Sequence, residues 1–563
     1  MSIKLMRRLL DLTINPFLVA ATGIGAIAFL LVTEDDFASA AFAVTAVAVV
    51  IGVLLLASRR PAFSVYSAIT LTLLVVAPSV VKARLTGASL HALDLAHLAD
   101  PKVSSFLVTG YASYVLPILA VLVMAILFLV MVYRYETPRQ VGLVRRATLV
   151  VLPALLLPVA LPQWASGDDY QFAGKHASAF TASLRELPHL WDEHPLMVRL
   201  AKTPPQPVYE LPLTCTGAAV MPDIVLVHAE SQLPPGDVPS WGTDMLSDSF
   251  KSGDDKLRRF GVETYGGSSW VTVSSVMSGL SGADFDWMRQ FISASMTGKV
   301  DDAVPAVLAS CGYDTAGVLT FGYDQFDLGP FLASTGIAKV SGAEETGIPV
   351  HGERDIRYYD AALDALHSGR NGGRPQFVYV ETMFTHSPYD ARQEAHAVFD
   401  GEPFHSDPET AEYLRRLVIA RQDIEALREQ LERNPGPRGT ILVEYGDHRP
   451  LVAPAAPSKD GKGGLADWRS KDYETYFAVH AYGPAALPAI PDHARLDATY
   501  LGYWIVEAAG AATGGVVSDM EALRRHCDGL FHTCSDRAAV DRVLRRRLDA
   551  DNVRFDPLMN PSS

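Results

Sequence analysis

The chain has 563 residues, 49% of them hydrophobic, and carries 48 Lys and Arg against 63 Asp and Glu for a formal net charge of −15. That acidic balance argues against a nucleic-acid partner.

Five stretches without Asp, Glu, Lys, Arg or His come first: Phe17 to Thr33, Phe37 to Ser58, Ala62 to Val81, Ser113 to Tyr133 and Ala147 to Trp164. Each approaches the roughly 20 residues a helix needs to cross the hydrocarbon core, so the sequence predicts five transmembrane helices in residues 1–165. Further spans follow the first, and no small-residue cleavage pattern closes it, so it reads as an anchor and not as a cleavable signal.

Lys4, Arg7 and Arg8 precede the first span, Arg59 and Arg60 separate the second and third, and Arg134, Arg139, Arg145 and Arg146 lie between the fourth and fifth. These segments are predicted to be cytoplasmic. The loop after the first span carries Glu34, Asp35 and Asp36, and the loop after the third has only Lys82, Arg84 and Lys102 as basic residues. Five crossings then put everything after Trp164 outside the cytoplasm, in a multi-pass protein of the cell inner membrane whose soluble part faces the periplasm. In the third loop Leu90, Leu93 and Leu98 interleave with His91, Asp94, His97 and Asp100, as an interfacial helix or an ordinary polar loop. With no ionisable residue inside a span, the membrane part is an anchor and not an ion pathway.

Residues 166–219 read as a connector, with prolines at 188, 195, 204, 205, 207 and 212. Apolar, β-branched runs follow at Asp223 to His228, Thr315 to Leu319, Phe377 to Glu381, Thr440 to Glu444 and Tyr476 to Ala481. Helix-like segments such as Asp301 to Ser310, Arg354 to His367 and Thr410 to Arg433 alternate with them. This predicts an α/β domain over residues 220–510, with a mostly parallel sheet covered on both faces and reactive residues at the carboxyl ends of its strands. Residues 511–563 read as a helical tail in which Arg542, Arg545, Arg546 and Arg547 form a solvated basic face. Cys215, Cys311, Cys527 and Cys534 all fall outside the membrane, where an oxidising compartment favours pairing, and the short spacing favours a Cys527–Cys534 bridge.

Three strand ends carry chemistry. The first runs from Asp223 through His228 to Glu230 and Ser231; the second ends at Glu381, followed by Thr385-His386-Ser387-Pro388-Tyr389; the third is Gly446-Asp447-His448. An Asp-His pair after a buried strand offers a metal one hard oxygen and one imidazole nitrogen. Between the first two, Tyr265-Gly266-Gly267-Ser268-Ser269 leads into a helix-like run ending Ser278-Gly279-Leu280, which sets a hydroxyl at a helix N-terminus where an anion is stabilised. Taken alone, Ser268 or Ser269 reads as an N-cap. His228 alternates with Val225 and Val227 and reads as a packed strand residue, while His351, Glu353, Arg354 and Asp355 read as capping and dipole complementation for the helix they open.

Together these segments, with the five-span layout, resemble the alkaline phosphatase and sulfatase superfamily, and within it the membrane-bound lipoteichoic-acid synthases, phosphoglycerol transferases and phosphoethanolamine transferases. The resemblance covers about Met221 to Pro484 and implies an alkaline-phosphatase-like α/β/α sandwich. It implies one metal held by Glu230, Ser269, Asp447 and His448, with Ser269 as nucleophile; Ser278-Gly279-Leu280 is similar to the family's Thr-Gly-Leu, and Ser268 is the near alternative. His386 looks like the family's substrate-binding Asn-His-x-Pro-Tyr histidine. The stretch Thr320 to Phe326 stands where family members often have a His, a Trp and an Arg around the donor head group, and this chain has neither that His nor that Arg. Val273-Ser274 likewise replaces the Glu-Phe pair that often follows the nucleophile.

A divalent cation activates a coordinated hydroxyl as it does water, so Ser269 would attack phosphorus to give a phosphoserine. His386 would act as general acid and then base, with a structural loop histidine as its other reading, and Arg449 would steady an anionic substrate or form a surface salt bridge. The ligand types suit manganese or zinc, with magnesium as the third candidate. The reading is a transferase moving phosphoglycerol or phosphoethanolamine from a membrane phospholipid to an extracytoplasmic glycan or lipid acceptor. The alternatives are a phosphodiesterase or sulfatase-type hydrolase, and a non-catalytic degenerate member.

Overall fold

Apolar runs become helices where neighbouring polar groups cap them. Asn15 accepts a hydrogen bond from the Phe17 backbone at 2.9 Å and Pro16 takes the first turn, which starts α1 (Pro16–Thr33). Asp36 accepts from the Ser39 backbone at 2.8 Å at the start of α2 (Phe37–Ser58). The Glu136 carboxylate accepts from the Ala62 and Phe63 backbones, at 3.0 and 2.9 Å, at the start of α3 (Pro61–Thr86). The computed structural model of the chain describes residues 8–555 except 9, 35, 87, 98–103, 105, 106, 109, 110, 141, 163–173, 192, 193, 208, 210, 218–220, 351 and 455–468. It divides into two compact units, Met1–His189 and Leu190–Ser563.

In the first unit α1, α2, α3 and α4 (Ala112–Tyr135) are long and apolar enough to cross a membrane. The fifth expected span differs. Its helix, α5 (Leu143–Leu156), has 14 residues, includes Arg145 and Arg146, and stops where Pro158 has no N–H to continue the ladder of backbone bonds; the Trp164 end lies outside the described residues. Four helices of spanning length, not five, therefore stand among the described residues. α5 packs tightly on α2: a Cβ at Gly52 would lie 2.4 Å from the Leu149 carbonyl oxygen, so only glycine fits. In the third loop Leu90 and Leu93 are buried, and Asp94–His97 forms a four-residue helix. Leu98 and Asp100 of that loop lie outside the described residues.

The second unit is built on an eight-stranded sheet: β1 (Asp223–Ala229), β2 (Arg258–Gly261), β3 (Asp314–Val318), β4 (Lys339–Ser341), β5 (Gln376–Glu381), β6 (Thr440–Gly446), β7 (Glu474–Tyr482) and β8 (Leu496–Asp497). Their order is β4-β3-β5-β1-β6-β7-β2-β8, and β7 alone runs antiparallel to its neighbours. Every residue of β1, β5 and β6 is buried, as expected of parallel strands covered on both faces. Val225, Val227, Val378, Val380 and Leu442 pack on one face against α7 (Asp355–Arg370) and α8 (Pro408–Arg433). α6 (Ser269–Ser278) packs against α9 (Ala498–Ala508). The register His228↔Glu381, His228↔Tyr445 and Ala229↔Gly446 brings the carboxyl ends of β1, β5 and β6 level with one another.

The tail is part of this unit. Ala512–Thr513 pairs with Thr214–Cys215, and disulfides join Cys215 to Cys311 and Cys527 to Cys534. The expected solvated basic face is only partly so. Arg547 is fully buried, with Nε 2.9 Å from Asp302 Oδ2, because the last helix, Arg537–Asp549, must bring a cation to a buried carboxylate.

Candidate active site

Three level strand ends converge on a buried cluster. Glu230 follows β1, and Ser231 then turns the chain away in the left-handed region, at φ 52°. Asp447 and His448 follow β6. Asp447 Oδ1 accepts from the Ser231 and His448 backbones at 2.7 and 2.8 Å, which leaves Oδ2 facing inward. Buried Oδ2 has no hydrogen-bond partner and lies 3.2 Å from both His228 Nε2 and His448 Nε2. His448 Nδ1 is 3.0 Å from the Arg449 carbonyl oxygen. A carbonyl only accepts, so Nδ1 carries the proton and Nε2 presents its lone pair. That lone pair is aimed at Glu230 Oε1, 3.5 Å away, and at Ser269 Oγ, 3.3 Å away.

Ser269 opens α6, and its hydroxyl donates to Glu230 Oε2 at 2.9 Å. Ser268, the preceding residue, takes the N-cap position at φ 65°, yet its hydroxyl does not cap; it donates to Gln290 Oε1 at 2.6 Å. Thr272 Oγ1 donates to the Asp447 carbonyl at 2.8 Å, which stitches the first turn of α6 to the end of β6. The glycine turn before the helix is held similarly, by a 2.9 Å bond from the Gly266 backbone to the Arg449 carbonyl.

His228 is the residue that strand reasoning undervalued. One ligand atom from each of His228, Glu230 and Asp447 lies within 4.8 Å of the others, and His228 Nδ1 is 3.0 Å from the Tyr445 hydroxyl. The signal was present: side chains two apart on an extended chain share a face, so His228 lies on the same side as Glu230. Burial opposes charge on the His228 ring, but Tyr445, Asp447 and Glu230 outweigh it and push its pKa well above the ordinary value. Burial also opposes charge on Glu230, and the charged forms of the His448, His228 and His386 rings hold it well below the usual carboxylate range, an attraction that a cation would replace where His448 Nε2 serves as a ligand. An orphaned buried carboxylate oxygen, a second carboxylate, an imidazole lone pair and a hydroxyl are a donor set that fits a divalent cation.

His386 lies on the loop after β5, and that loop is tied to Glu230. The Glu230 backbone donates to Thr382 Oγ1 at 3.0 Å, and Thr385 Oγ1 donates to the Glu230 carbonyl. His386 Nδ1 donates to the Ser387 carbonyl, so Nε2 is the nitrogen left for proton transfer, and Arg416 Nη1 holds the His386 carbonyl at 3.0 Å. Among the described residues no hydrogen bond joins His386 to Ser269. Arg449 is buried, donates from Nη1 to the Lys471 carbonyl at 3.1 Å, and forms no ion pair among the described residues, so the surface salt-bridge reading does not hold.

Two further readings change. Asp355 does more than complement the α7 dipole: its Oδ1 accepts from the Met383 and Phe384 backbones, both at 3.0 Å, which anchors the His386 loop. Burial pushes the Asp355 pKa up to about 7, against those two backbone bonds. Arg354 pairs with Asp423 and makes no cap bond, and His351 lies outside the described residues. In the Thr320 to Phe326 stretch, Phe326 stacks on Trp270, beside Ser269, with ring centroids 5.2 Å apart.

The family model described as Sulfatase matches residues 259–477. An uncharacterised protein of Haemophilus influenzae is 23% identical over 288 residues, 49% of this chain and 51% of that protein, so the chain spans about half the length of the curated relative it matches. Similar solved structures include the integral membrane lipooligosaccharide phosphoethanolamine transferase A (EptA) of Neisseria meningitidis, 13% identical over 86% of this chain and 95% of that one, TM-score 0.48. The phosphoglycerol transferase GacH of Streptococcus pyogenes is 14% identical over 65% and 91%, TM-score 0.43. The lipoteichoic acid synthase LtaP of Listeria monocytogenes is 16% identical over 52% and 73%, TM-score 0.41. The segment that matches the sulfatase family model holds Ser269, His386, Asp447 and His448, and Glu230 lies before it.

Proposed function

We propose that the protein is a metal-dependent phosphotransferase that moves a phosphoglycerol or phosphoethanolamine group from a membrane phospholipid to an extracytoplasmic glycan or lipid acceptor, through a phosphoserine-type intermediate on Ser269. The observation that carries this reading is the Ser269 hydroxyl, set 2.9 Å from Glu230 Oε2 and 3.3 Å from His448 Nε2 at a helix N-terminus. Glu230, Asp447, His448 and Ser269 would hold one divalent cation, manganese or zinc by their chemistry, with His228 steadying Asp447. When bound, that cation lowers the pKa of the serine hydroxyl and neutralises charge on the phosphoryl group.

The chain's own residues supply the rest. Ser269, oriented by Glu230 and already relieved of its proton, attacks phosphorus through Oγ as the bond from phosphorus to the diacylglycerol oxygen breaks, and it leaves again as the alkoxide when the acceptor oxygen attacks. The N-terminus of α6 would face the phosphoryl oxygens, where the helix dipole favours negative charge. His386 Nε2 gives a proton to the leaving diacylglycerol alkoxide and takes one from the acceptor hydroxyl in the second half. Arg449 steadies the anionic substrate.

The proposed setting is the outer face of the inner membrane, reached by five crossings. Glu34, after α1, accepts from the Ala177 backbone at 2.7 Å, and His91, after α3, is 2.7 Å from Glu186, so these loops and the segment after α5 share one end of the membrane unit. At the other end Glu136, after α4, holds the start of α3. Arg146 Nη1 donates to the Leu56 carbonyl at 2.9 Å, whereas Leu157 and Leu161 pack near Phe42. The α5 segment thus runs antiparallel to α2 over about 21 Å at 1.5 Å per residue, which supports a fifth crossing despite the short helix. Both disulfides agree with an oxidising compartment.

The test is a transfer assay with full-length protein in vesicles that contain head-group-labelled phosphatidylglycerol or phosphatidylethanolamine. Metal-dependent formation of diacylglycerol from one donor is expected; metal-loaded protein that forms none from either would sink the reading.

A further inference from the structure

Helix α1 buries a single residue, Leu30. Leu30 packs with Ala43 and Val76 near one end, and Ile14 and Val19 pack against Ala62, Tyr66 and Val132 near the other. Between these contacts α1 stands off from α2 and α3, leaving a cavity of about 480 Å³ whose walls include Gly23, Ile27, Val47, Ile51, Val65 and Ile69. That volume is in the range of small-ligand sites. Gly23 marks the open space, because a Cβ there would meet nothing within 4 Å.

The wall chemistry restricts the occupant. Water would find no partner along an apolar groove at membrane depth. A helix of a second chain, about 10–12 Å across, would run out past the ends of the groove, where α1 meets its neighbours. One extended hydrocarbon chain is narrow enough, and the groove follows α1 from Pro16 to Leu30, about 21 Å at 1.5 Å per residue. The single charged residue on the lining is Arg139, at the end marked by Pro16 and Pro61. Its backbone N–H donates to the Arg59 carbonyl at 2.9 Å, so two arginines meet at that mouth. Guanidinium groups pair with phosphate in fork geometry, and a head group without its own cation leaves that attraction unopposed.

We propose that this groove is a binding site for one acyl chain of an anionic phospholipid, whose phosphate rests at Arg139 in the leaflet on that side of the membrane. The lipid fills the space α1 leaves and ties it to α2 and α3.

The experiment is native mass spectrometry of detergent-solubilised full-length protein, washed free of lipid and then incubated with phosphatidylglycerol or phosphatidylcholine. Wild type is expected to retain one phosphatidylglycerol per chain in preference to phosphatidylcholine. Gly23→Phe, which fills the groove, is expected to lower retention about tenfold or more, since losing two buried methylenes already costs that much. Gly25→Phe is the control: Gly25 also has nothing within 4 Å of a Cβ but does not line the cavity, and retention should be unchanged. Arg139→Gln should cut the preference for phosphatidylglycerol about fivefold, and it tests the site even if Gly23→Phe fails to fold. Equal retention by wild type and Gly23→Phe, equal retention of the two lipids by wild type, or a dimer that Gly23→Phe abolishes would each overturn the proposal, the last by giving the groove to a second copy.

Discussion

Ser269 Oγ lies 2.9 Å from Glu230 Oε2, although the two residues sit on different elements and are joined only through the fold. If that contact prepares a nucleophile, Ser269→Ala should lower turnover by more than about 10⁴-fold, the scale on which deleting a nucleophile acts. Ser268→Ala removes a hydroxyl bonded to Gln290 and should cost about 1 kcal/mol of stability with most turnover kept. Steady-state transfer rates and thermal unfolding of the two variants separate these outcomes.

Asp447→Ala and His448→Ala should each lower metal affinity by well over about 100-fold, because each removes a proposed ligand while the sheet stays folded. His228→Gln should lower it about 10- to 100-fold, as expected of a partner that orients a ligand. Metal content after dialysis against graded chelator is the measurement, and three wild-type affinities would mean the cluster is structural.

Asp355 gives a pH dependence with a definite sign. Its folded-state pKa of about 7 lies above the ordinary carboxylate value, so the folded protein binds the extra proton. Stability from this group is fully present below about pH 4 and is lost as pH rises toward 7, by on the order of a few kcal/mol. Asp355→Asn keeps an acceptor for Met383 and Phe384 but cannot ionise. Its unfolding temperature should therefore match wild type near pH 4 and exceed it near pH 8; parallel curves would refute the assignment.

The two disulfides should differ in weight. Cys215–Cys311 closes a sequence separation of 96 and Cys527–Cys534 one of 7. Loop-closure entropy predicts the larger loss, about 4.7 kcal/mol, for the Cys215→Ser/Cys311→Ser pair. Denaturant unfolding of both double variants tests this order.

The five-crossing topology predicts that a reporter active only outside the cytoplasm works when fused after Pro212 and is silent when fused near Gln140. The reverse pattern would overturn the extracytoplasmic setting of the enzyme.

Much of the sheet was legible because buried parallel strands read as continuous apolar runs. All five expected runs overlap β1, β3, β5, β6 and β7. The strands missed, β2, β4 and β8, are two to four residues long and lack such a run. Residues that chemistry alone marks, such as Asp447 and His448, stood out by type and position. Those whose meaning depends on a distant partner did not. His228 needed Asp447 across the sheet, Asp355 needed the backbone after β5, and Arg547 needed Asp302, 245 residues away in sequence. Hydropathy found the fifth apolar stretch but not where its helix stops, because the N–H that Pro158 lacks is a backbone group and leaves the apolar pattern intact.

The central claim, a covalent phosphoryl group on Ser269, is tested most directly by peptide mass mapping of metal-loaded full-length protein quenched during turnover with phospholipid vesicles. The account predicts one phosphoglycerol or phosphoethanolamine adduct on the peptide that contains Ser269, absent after chelation and absent from Ser269→Ala. An adduct on Ser268 or Thr272, or head-group release to water with no adduct at any of the three, would contradict it.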